Sequence, residues 1–189
     1  MLSTLVSLHN GVFSAVQNAT RGWLLGLAAR FVFAAVLALY FWNSAMGKIG
    51  SGIFGVFNIQ DGAYFSILGE GVMVAYDFDS ANIPFYLDII VYLGTWTEFL
   101  LPFLIIVGLF TRIAALGMVG FVLVQSFVDI AVHKVGPETI GMLFDRDSAS
   151  AIMDQRAFWM FLFLVLIIKG AGAISLDALL SRWWNGKSA

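Results

Sequence analysis

The residues best suited to chemistry in this chain are acids and bases placed inside runs of apolar residues. Glu98 lies within YLGTWTEFLLPFLIIVGLFTR, residues 92–112, and Lys169 ends the run FWMFLFLVLIIK. An ionisable side chain at the centre of a bilayer costs about 2.5–3.5 kcal/mol on insertion scales, so such a residue is by default a candidate functional group. A buried carboxylate and ammonium can bind a polar headgroup or exchange a proton.

The composition identifies the solvent around these residues. The chain has 189 residues, of which 60% are hydrophobic and 12% are charged, and its mean hydropathy is +0.91. Average soluble domains have roughly 25% charged residues, so this chain could not cover its surface in water. It is therefore predicted to be an integral membrane protein in contact with the lipid bilayer.

The composition also excludes several kinds of redox and metal chemistry. The absence of cysteine excludes disulfides, thiolate metal sites, iron–sulfur clusters and covalently attached haem. His9 and His133 are the only histidines, and His9 lies in a polar N-terminal stretch. The sequence has no nucleotide-binding glycine motif and no basic patch. We expect no metal, haem or flavin in this chain and no nucleic-acid partner.

Four segments have the roughly 20 mostly apolar residues that a transmembrane helix needs. They are residues 23–46, 85–110, 113–132 and 157–176, the last extending to 180 in one alternative. The sequence thus predicts an all-α fold, an integral membrane bundle of four transmembrane helices. Residues 47–84 are aromatic and interrupted by glycines, so we expect short helical or re-entrant elements that lie against the bundle.

The chain divides into three regions around this bundle. Residues 1–20 have apolar residues at roughly helical spacing, which predicts either an amphipathic helix on the membrane surface or a flexible segment. Residues 21–182 form the single transmembrane domain, and residues 183–189 form a C-terminal tail. One side of the membrane would hold Arg21, Arg30, Arg112, Arg182 and Lys187, while the acidic loops lie on the other. This distribution favours cytoplasmic termini in a bacterial-type inner membrane.

Glu98 and Lys169 are predicted to lie at similar depth on the second and fourth spans. At about 1.5 Å per residue, Glu98 lies roughly 20 Å from its span's beginning and Lys169 roughly 18 Å from its own. Because a partner of opposite charge lowers the cost of burial, we expect the two residues to pair or to share a polar pocket that acts as a proton or quinone site. Lys48 is the alternative partner for Glu98.

Two further groups of polar residues lie near the span ends. Gln125, Asp129 and His133 are spaced four residues apart and so share one helix face, near the level of Asn43 and Lys48. These residues are a solvated helix end, an inter-helix network, or a ligand or proton site in which Asp129 and His133 act together. The other group, at the opposite end, contains Arg30, Arg112 and Asp177. It is interpreted as an anchor in which arginines meet lipid phosphates and Asp177 satisfies one of them.

Three motifs in the chain resemble those of one known family. GKI at 47–49, EFLLPFLIIVGLFTR at 98–112 and KGAGAISLDALL at 169–180 occur in the order found in the DoxX family. FNIQDGAYFSILGE, at 57–70, is similar to DoxX-like proteins associated with copper and peptide-modification systems. The resemblance spans residues 21–180 and implies a compact four-helix membrane protein with links to quinone-dependent oxidation. Lys48, Glu98, Arg112 and Asp177 match the family motifs.

Three functions follow from these observations. The first is a membrane subunit of a quinone-linked oxidoreductase, with a quinone as its cofactor and a protein partner that carries the electrons. Trp96 would line the quinone slot or simply pack. The second is a non-catalytic anchor or assembly factor for a partner such as a metal-handling or peptide-modification system. The third is a small transporter, which would need a homo-oligomer because no internal repeat is detected.

Overall fold

The computed structural model describes residues 2–52 and 54–186, and it consists of helices and the turns between them. Four helices are long and apolar enough to cross a membrane: span 1, Leu24–Met46; span 2, Phe85–Val107; span 3, Thr111–Val132; and span 4, Ala151–Lys169. Within the described ranges the extended structure amounts to an isolated bridge between Ile49 and Ile59. The predicted all-α, four-span fold is confirmed, and the chain is a multi-pass membrane protein whose helices contact lipid.

Three of the spans contain a π-helical segment. Span 1 consists of Leu24–Val32, the π-helix Phe33–Leu37 and Ala38–Met46. Span 3 is an α-helix over Thr111–Phe127 that ends in the π-helix Val128–Val132. Span 4 begins with the π-helix Ala151–Gln155 and continues as Arg156–Lys169. Because the wider π turn redirects the side chains that follow it, such segments often occur at functional sites.

Spans 1 and 3 end where spans 2 and 4 begin, and we call this side of the bundle the loop end. The opposite side, where the chain enters span 1 and leaves span 4, is the terminal end. Short helices cover the loop end, as predicted for the segment between spans 1 and 2: Gly55–Phe57, Asp61–Leu68, Glu70–Ala75 and Ser80–Asn82, with Pro137–Ile140 between spans 3 and 4. The helix Asp61–Leu68, named the cap helix below, packs on span 2.

The buried residues form two hydrophobic clusters. The larger lies between the four spans and is centred on aromatic and long aliphatic side chains, including Phe33, Phe41, Ile105, Met118 and Phe163. The smaller joins the cap helix to span 2 through Ala63, Tyr64, Met73 and Val91. Because the second cluster fixes the cap helix over the bundle, any site between spans 2 and 3 has a roof at its loop end.

Span 4 differs from its predicted position. It begins at Ala151 and ends at Lys169, whereas the sequence predicted 157–176 or an extension to 180. Gly170 and Gly172 have φ of +73° and +80°, a left-handed conformation that ends the helix. A separate helix then runs over Leu176–Gly186. The predicted continuation of span 4 past residue 169 is therefore wrong, and Lys169 lies at the terminal end of the bundle.

The terminal end is held together by Arg30 and Asp177. Arg30 is buried and donates hydrogen bonds to four backbone carbonyls, those of Ile105, Ile106, Ala171 and Ile174. Asp177 accepts from the backbone N–H groups of Phe110 and Thr111, at 2.7 and 3.0 Å, and so caps the N-terminus of span 3.

Asp177 forms no direct ion pair with an arginine among the described residues, and its charge acts on Arg30 only at longer range. Arg112 lies beside the turn at Gly170 instead. The geometry of this end needs a glycine at position 108, because Gly108 has φ +70° and an added Cβ would lie 2.8 Å from the Arg30 guanidinium carbon. Arg30 and Asp177 therefore hold the turns between helices in place.

The N-terminal segment is a helix over Leu2–Thr20 with no buried residue. Its apolar side chains are exposed, and the indole of Trp23 donates to the carbonyl of Ala19 at 2.7 Å across the turn into span 1. The helical alternative is thus the one observed, and its position on a membrane surface stays a prediction. Of the predicted tail, residues 183–186 belong to the C-terminal helix, while Lys187 and the two residues after it lie outside the described residues.

Candidate functional site

A cavity of about 770 Å³ lies between spans 2 and 3 beneath the cap helix. Its walls are mostly apolar, and its polar lining comes from spans 1, 2 and 3 together with the cap helix: Ser44, Lys48, Ser66, Thr97, Glu98, Gln125, Asp129 and His133. Ligand sites in proteins are typically apolar cavities of roughly 300–1,000 Å³ with a few convergent polar groups. This cavity is therefore the candidate site, and it contains four of the predicted site residues.

An ion pair between Lys48 and Glu98 lies on the wall of the cavity. Lys48 Nζ is 2.5 Å from Glu98 Oε1 and 2.6 Å from Oε2, and it also donates to Ser44 Oγ at 2.9 Å. The two side chains are 12% and 8% exposed. All three ammonium hydrogens thus have acceptors, which is what a charge pair needs if its burial is to be tolerated.

The predicted pair of Glu98 with Lys169 is wrong, and the alternative partner Lys48 is the observed one. Lys169 is exposed at the last residue of span 4, near the turn whose carbonyls bind Arg30. Arg30 also binds the carbonyl of Ile105, seven residues or about 10 Å along span 2 from Glu98. The error came from beginning span 4 six residues too late, which placed Lys169 too deep.

Local chain geometry brings Lys48 and Glu98 together. Lys48 follows the end of span 1, and its carbonyl accepts from the Gln60 N–H at 2.9 Å, next to the bridge that closes the loop over residues 49–59. Pro102 lies inside span 2, four residues after Glu98. Because proline has no N–H, the Glu98 carbonyl lacks its usual helical donor. The helix is therefore weakened at the residue that carries the carboxylate.

At the loop end, Asp129 pairs with Arg156 of span 4. Arg156 Nη2 is 2.5 Å from Asp129 Oδ2, and Nη1 donates to Ser126 Oγ at 2.8 Å. Arg156 is buried, and its Nε has no partner among the described residues. Asp129 and Arg156 both lie at π-helical segments, where spans 3 and 4 meet. This pair fixes one wall of the cavity.

His133 contacts the cap helix. The structure shows no hydrogen bond between His133 and Asp129, the two residues expected to act together as a proton pair. His133 Nε2 lies 2.9 Å from the carbonyl oxygen of Ser66. A carbonyl only accepts, so Nε2 carries the hydrogen and Nδ1 is the second, unprotonated nitrogen in the neutral ring. The carboxylate of Asp129 is engaged by Arg156 instead.

Two predicted binding residues lie outside the cavity. Asn43 faces a separate shallow groove beside Leu39 and Tyr40 on span 1. The Trp96 indole donates to the carbonyl of Val56 at 2.8 Å and packs edge-on against Phe57 and Tyr92. These contacts fit the packing interpretation of Trp96, because the side chain holds the 54–57 segment against span 2. Trp96 also lines a separate apolar pocket of about 510 Å³, outside the candidate site.

The polar groups of the cavity are balanced in charge. Lys48 offsets Glu98, and Arg156 offsets Asp129. Gln125 donates its amide N–H to Tyr40 OH at 2.9 Å, which leaves its buried Oε1 without a partner in the described chain. Ser44 and Thr97 add hydroxyl groups to the same lining. The cavity therefore suits a ligand with a neutral polar head and an apolar body rather than a charged headgroup.

Three functional features were missed from the sequence. The sequence predictions do not include a site role for Arg156, the effect of Pro102 on Glu98, or the hydrogen bond from Tyr64 to Asp88. That bond joins the cap helix to span 2. Burial, together with the hydrogen bond and the charge of Asp88, raises the pKa of Tyr64. The spacing E-x-x-x-P was a readable signal, whereas the other two contacts depend on tertiary structure.

Comparisons of the chain with protein-family models, with curated proteins and with solved structures found no match. Among the described residues no group of three or more histidine, aspartate and glutamate side chains could hold a metal ion.

Proposed function

We propose that the chain is the membrane subunit of a quinone-linked oxidoreductase system and that the cavity between spans 2 and 3 binds the quinone head. The observation that carries this proposal is the Lys48–Glu98 ion pair on the wall of a largely apolar, charge-balanced cavity of about 770 Å³. A quinone ring is flat, neutral and apolar, with two carbonyl acceptors, and therefore matches such a lining. The motif resemblance to the DoxX family supports the same proposal.

Each polar group has a role in this proposal. The hydroxyls of Ser44 and Thr97 donate to a quinone carbonyl, and the Lys48 ammonium stabilises the negative charge that develops on the carbonyl oxygen as electrons arrive. Reduction to the quinol takes two electrons and two protons. The protons pass through Glu98 and His133, and the electrons come from a partner protein that carries a flavin, haem or metal cluster. The chain supplies the binding site and the protons.

The test is a titration of ubiquinone and menaquinone analogues with short tails into the purified protein in lipid nanodiscs. We expect the quinone carbonyl to replace Ser44 Oγ as one of the three acceptors of the Lys48 ammonium. Hydrogen bonds to charged groups contribute about 1.5–3 kcal/mol, so Lys48→Met should weaken binding roughly 10- to 100-fold. Glu98→Gln should also weaken quinone binding. Lys169→Met and Glu70→Gln are the matched controls, because both residues are exposed and lie outside the cavity. Neither control should change the dissociation constant by more than about twofold.

The same experiment separates the alternatives. If the wild-type protein binds no quinone, or if Lys48→Met binds as tightly as the controls, the quinone proposal is refuted. Retention of a protein partner by both Lys48→Met and Glu98→Gln, with the partner's activity intact, would then favour the anchor or assembly factor. Uptake of a solute by proteoliposomes would favour the transporter.

A further inference from the structure

Spans 2 and 3 bound the cavity on the side away from spans 1 and 4, and contacts between the two spans define its lower edge. A Cβ added at Gly117 would lie 2.8 Å from Leu101 Cδ1, so the two spans touch at this level. A Cβ added at Gly120 would meet nothing within 4 Å. The spans therefore separate within one helical turn above their contact.

The upper edge is closed by the cap helix and the turn after it. Ile67 Cδ1 lies 3.4 Å from the position of a Cβ on Gly94 of span 2. Val132 Cγ1 of span 3 lies 2.1 Å from the corresponding position on Gly69, which only glycine could occupy. With the Ser66–His133 hydrogen bond, the cap helix contacts both spans and covers the cavity at the loop end.

Between these edges the gap is long enough along the span axis for a ring-shaped head. On span 2 the cavity lining runs from Ile90 to Leu101, and the part between the cap-helix contact at Gly94 and Leu101 covers seven residues or about 10 Å at 1.5 Å per residue. Thr97 and Glu98 lie within this stretch. The rim carries exposed apolar side chains: Leu93 of span 2 is 56% exposed and Val124 of span 3 is 62% exposed. A rim of this kind faces hydrocarbon.

We infer that the opening above Leu101 is a lateral window through which an amphiphilic ligand enters from the bilayer, with its apolar tail left in the lipid. The cap helix keeps bulk water out of the same cavity. This inference rests on the proposed function for the identity of the ligand, but the window and the roof are properties of the chain and are tested without a quinone. The ligand class it defines is a flat, neutral headgroup on a long apolar tail.

The test uses the absence of cysteine from the chain. Thr97→Cys places one thiol in the cavity, in protein held in nanodiscs, and its labelling rate is measured with lipid-soluble N-phenylmaleimide and with a sulfonated, water-soluble maleimide. Labelling in detergent-unfolded protein gives the reference rate. Gly120→Phe is chosen to obstruct the window, because a Cβ at this position has open space around it to 4 Å. Leu116→Phe is the matched control, since Leu116 is exposed on span 3 outside the cavity lining.

We expect the lipid-soluble reagent to label the thiol at least tenfold faster than the sulfonated one. Gly120→Phe should slow this labelling at least tenfold, and Leu116→Phe should change it less than twofold. If the sulfonated reagent labelled the thiol as fast as the lipid-soluble one, the cap helix would not exclude water from the cavity, and the inference would be overturned. No labelling in the folded protein, or no effect of Gly120→Phe, would overturn it as well. Any of these results leaves the quinone titration as a separate test.

Discussion

The coupling between Lys48 and Glu98 gives the sharpest test of the site as a folded unit. Lys48→Met removes the cation and leaves the Glu98 carboxylate 8% exposed with no partner of opposite charge. Removing one member of a buried ion pair costs about 3–5 kcal/mol, because the remaining charge stays desolvated. We therefore expect Lys48→Met to lower the free energy of unfolding by about that amount.

Glu98→Gln is the milder substitution. The amide oxygen still accepts from Lys48 Nζ, and Ser44 Oγ at 2.9 Å remains as a second acceptor. The loss is then that of one charge-assisted hydrogen bond, about 1.5–3 kcal/mol. The double substitution removes both charges, so its cost should be smaller than the sum of the two single costs. We expect a coupling free energy of about 2 kcal/mol, within the range of about 0.5–3 kcal/mol for residues in contact.

The measurement is reversible unfolding in mixed micelles, followed by circular dichroism, for the wild type, both single variants and the double variant. Lys169→Met is the control and should stay within about 0.5 kcal/mol of the wild type, because its side chain is exposed. Additive single costs, with coupling below about 0.5 kcal/mol, would refute the reasoning. If Lys169→Met lowered the free energy of unfolding as much as Lys48→Met does, the result would instead favour a pairing of Glu98 with Lys169.

Three further predictions concern the helix ends and the cap helix. Arg30→Lys keeps the charge, but a lysine cannot donate to all four carbonyls. We expect the free energy of unfolding in the same micelle assay to fall by about 2–4 kcal/mol, at about 1–1.5 kcal/mol for each lost hydrogen bond. An Arg30→Lys variant as stable as Lys169→Met would contradict this role. Asp177→Ala removes the cap of span 3 and should cost about 1–2 kcal/mol, while Asp145→Ala, on the loop between spans 3 and 4, should cost little; equal effects would show that the cap is not needed. Because the pKa of Tyr64 is raised in the folded protein, its contribution to stability is complete below the ordinary tyrosine pKa of about 10 and is lost as pH rises above it. Tyr64→Phe should therefore flatten the fall in stability above pH ~10, and an unchanged alkaline profile would rule out this origin.

The fold could be predicted from the sequence because hydrophobic length alone defines membrane spans. Spans 1 to 3 begin and end within three residues of their predicted bounds, since glycine and proline mark most of their ends. Span 4 was misplaced because its beginning, residues 151–156, contains Asp154 and Arg156, which indicate a loop by composition. In the structure these charges bind Ser150 and Asp129, so a polar segment can continue the helix.

The candidate site could be predicted only in part. Glu98 was identified from its isolation among apolar residues, and Lys48 from its motif, without knowledge of the distance between them. The depth of a side chain on one helix relative to another depends on helix tilt and on the exact ends of each span, which composition does not give. The Arg156–Asp129 pair and the roof formed by the cap helix depend on tertiary contacts and leave no signal in spacing.

The central claim is that the Lys48–Glu98 cavity holds a quinone, and native mass spectrometry of protein isolated gently from its own membranes tests it most directly. The spectrum reports bound small molecules, bound proteins and copy number together. The account predicts a quinone retained by the wild type and by Lys169→Met and lost from Lys48→Met. Wild-type protein that carries only phospholipid, with no quinone and no redox partner, would contradict the claim.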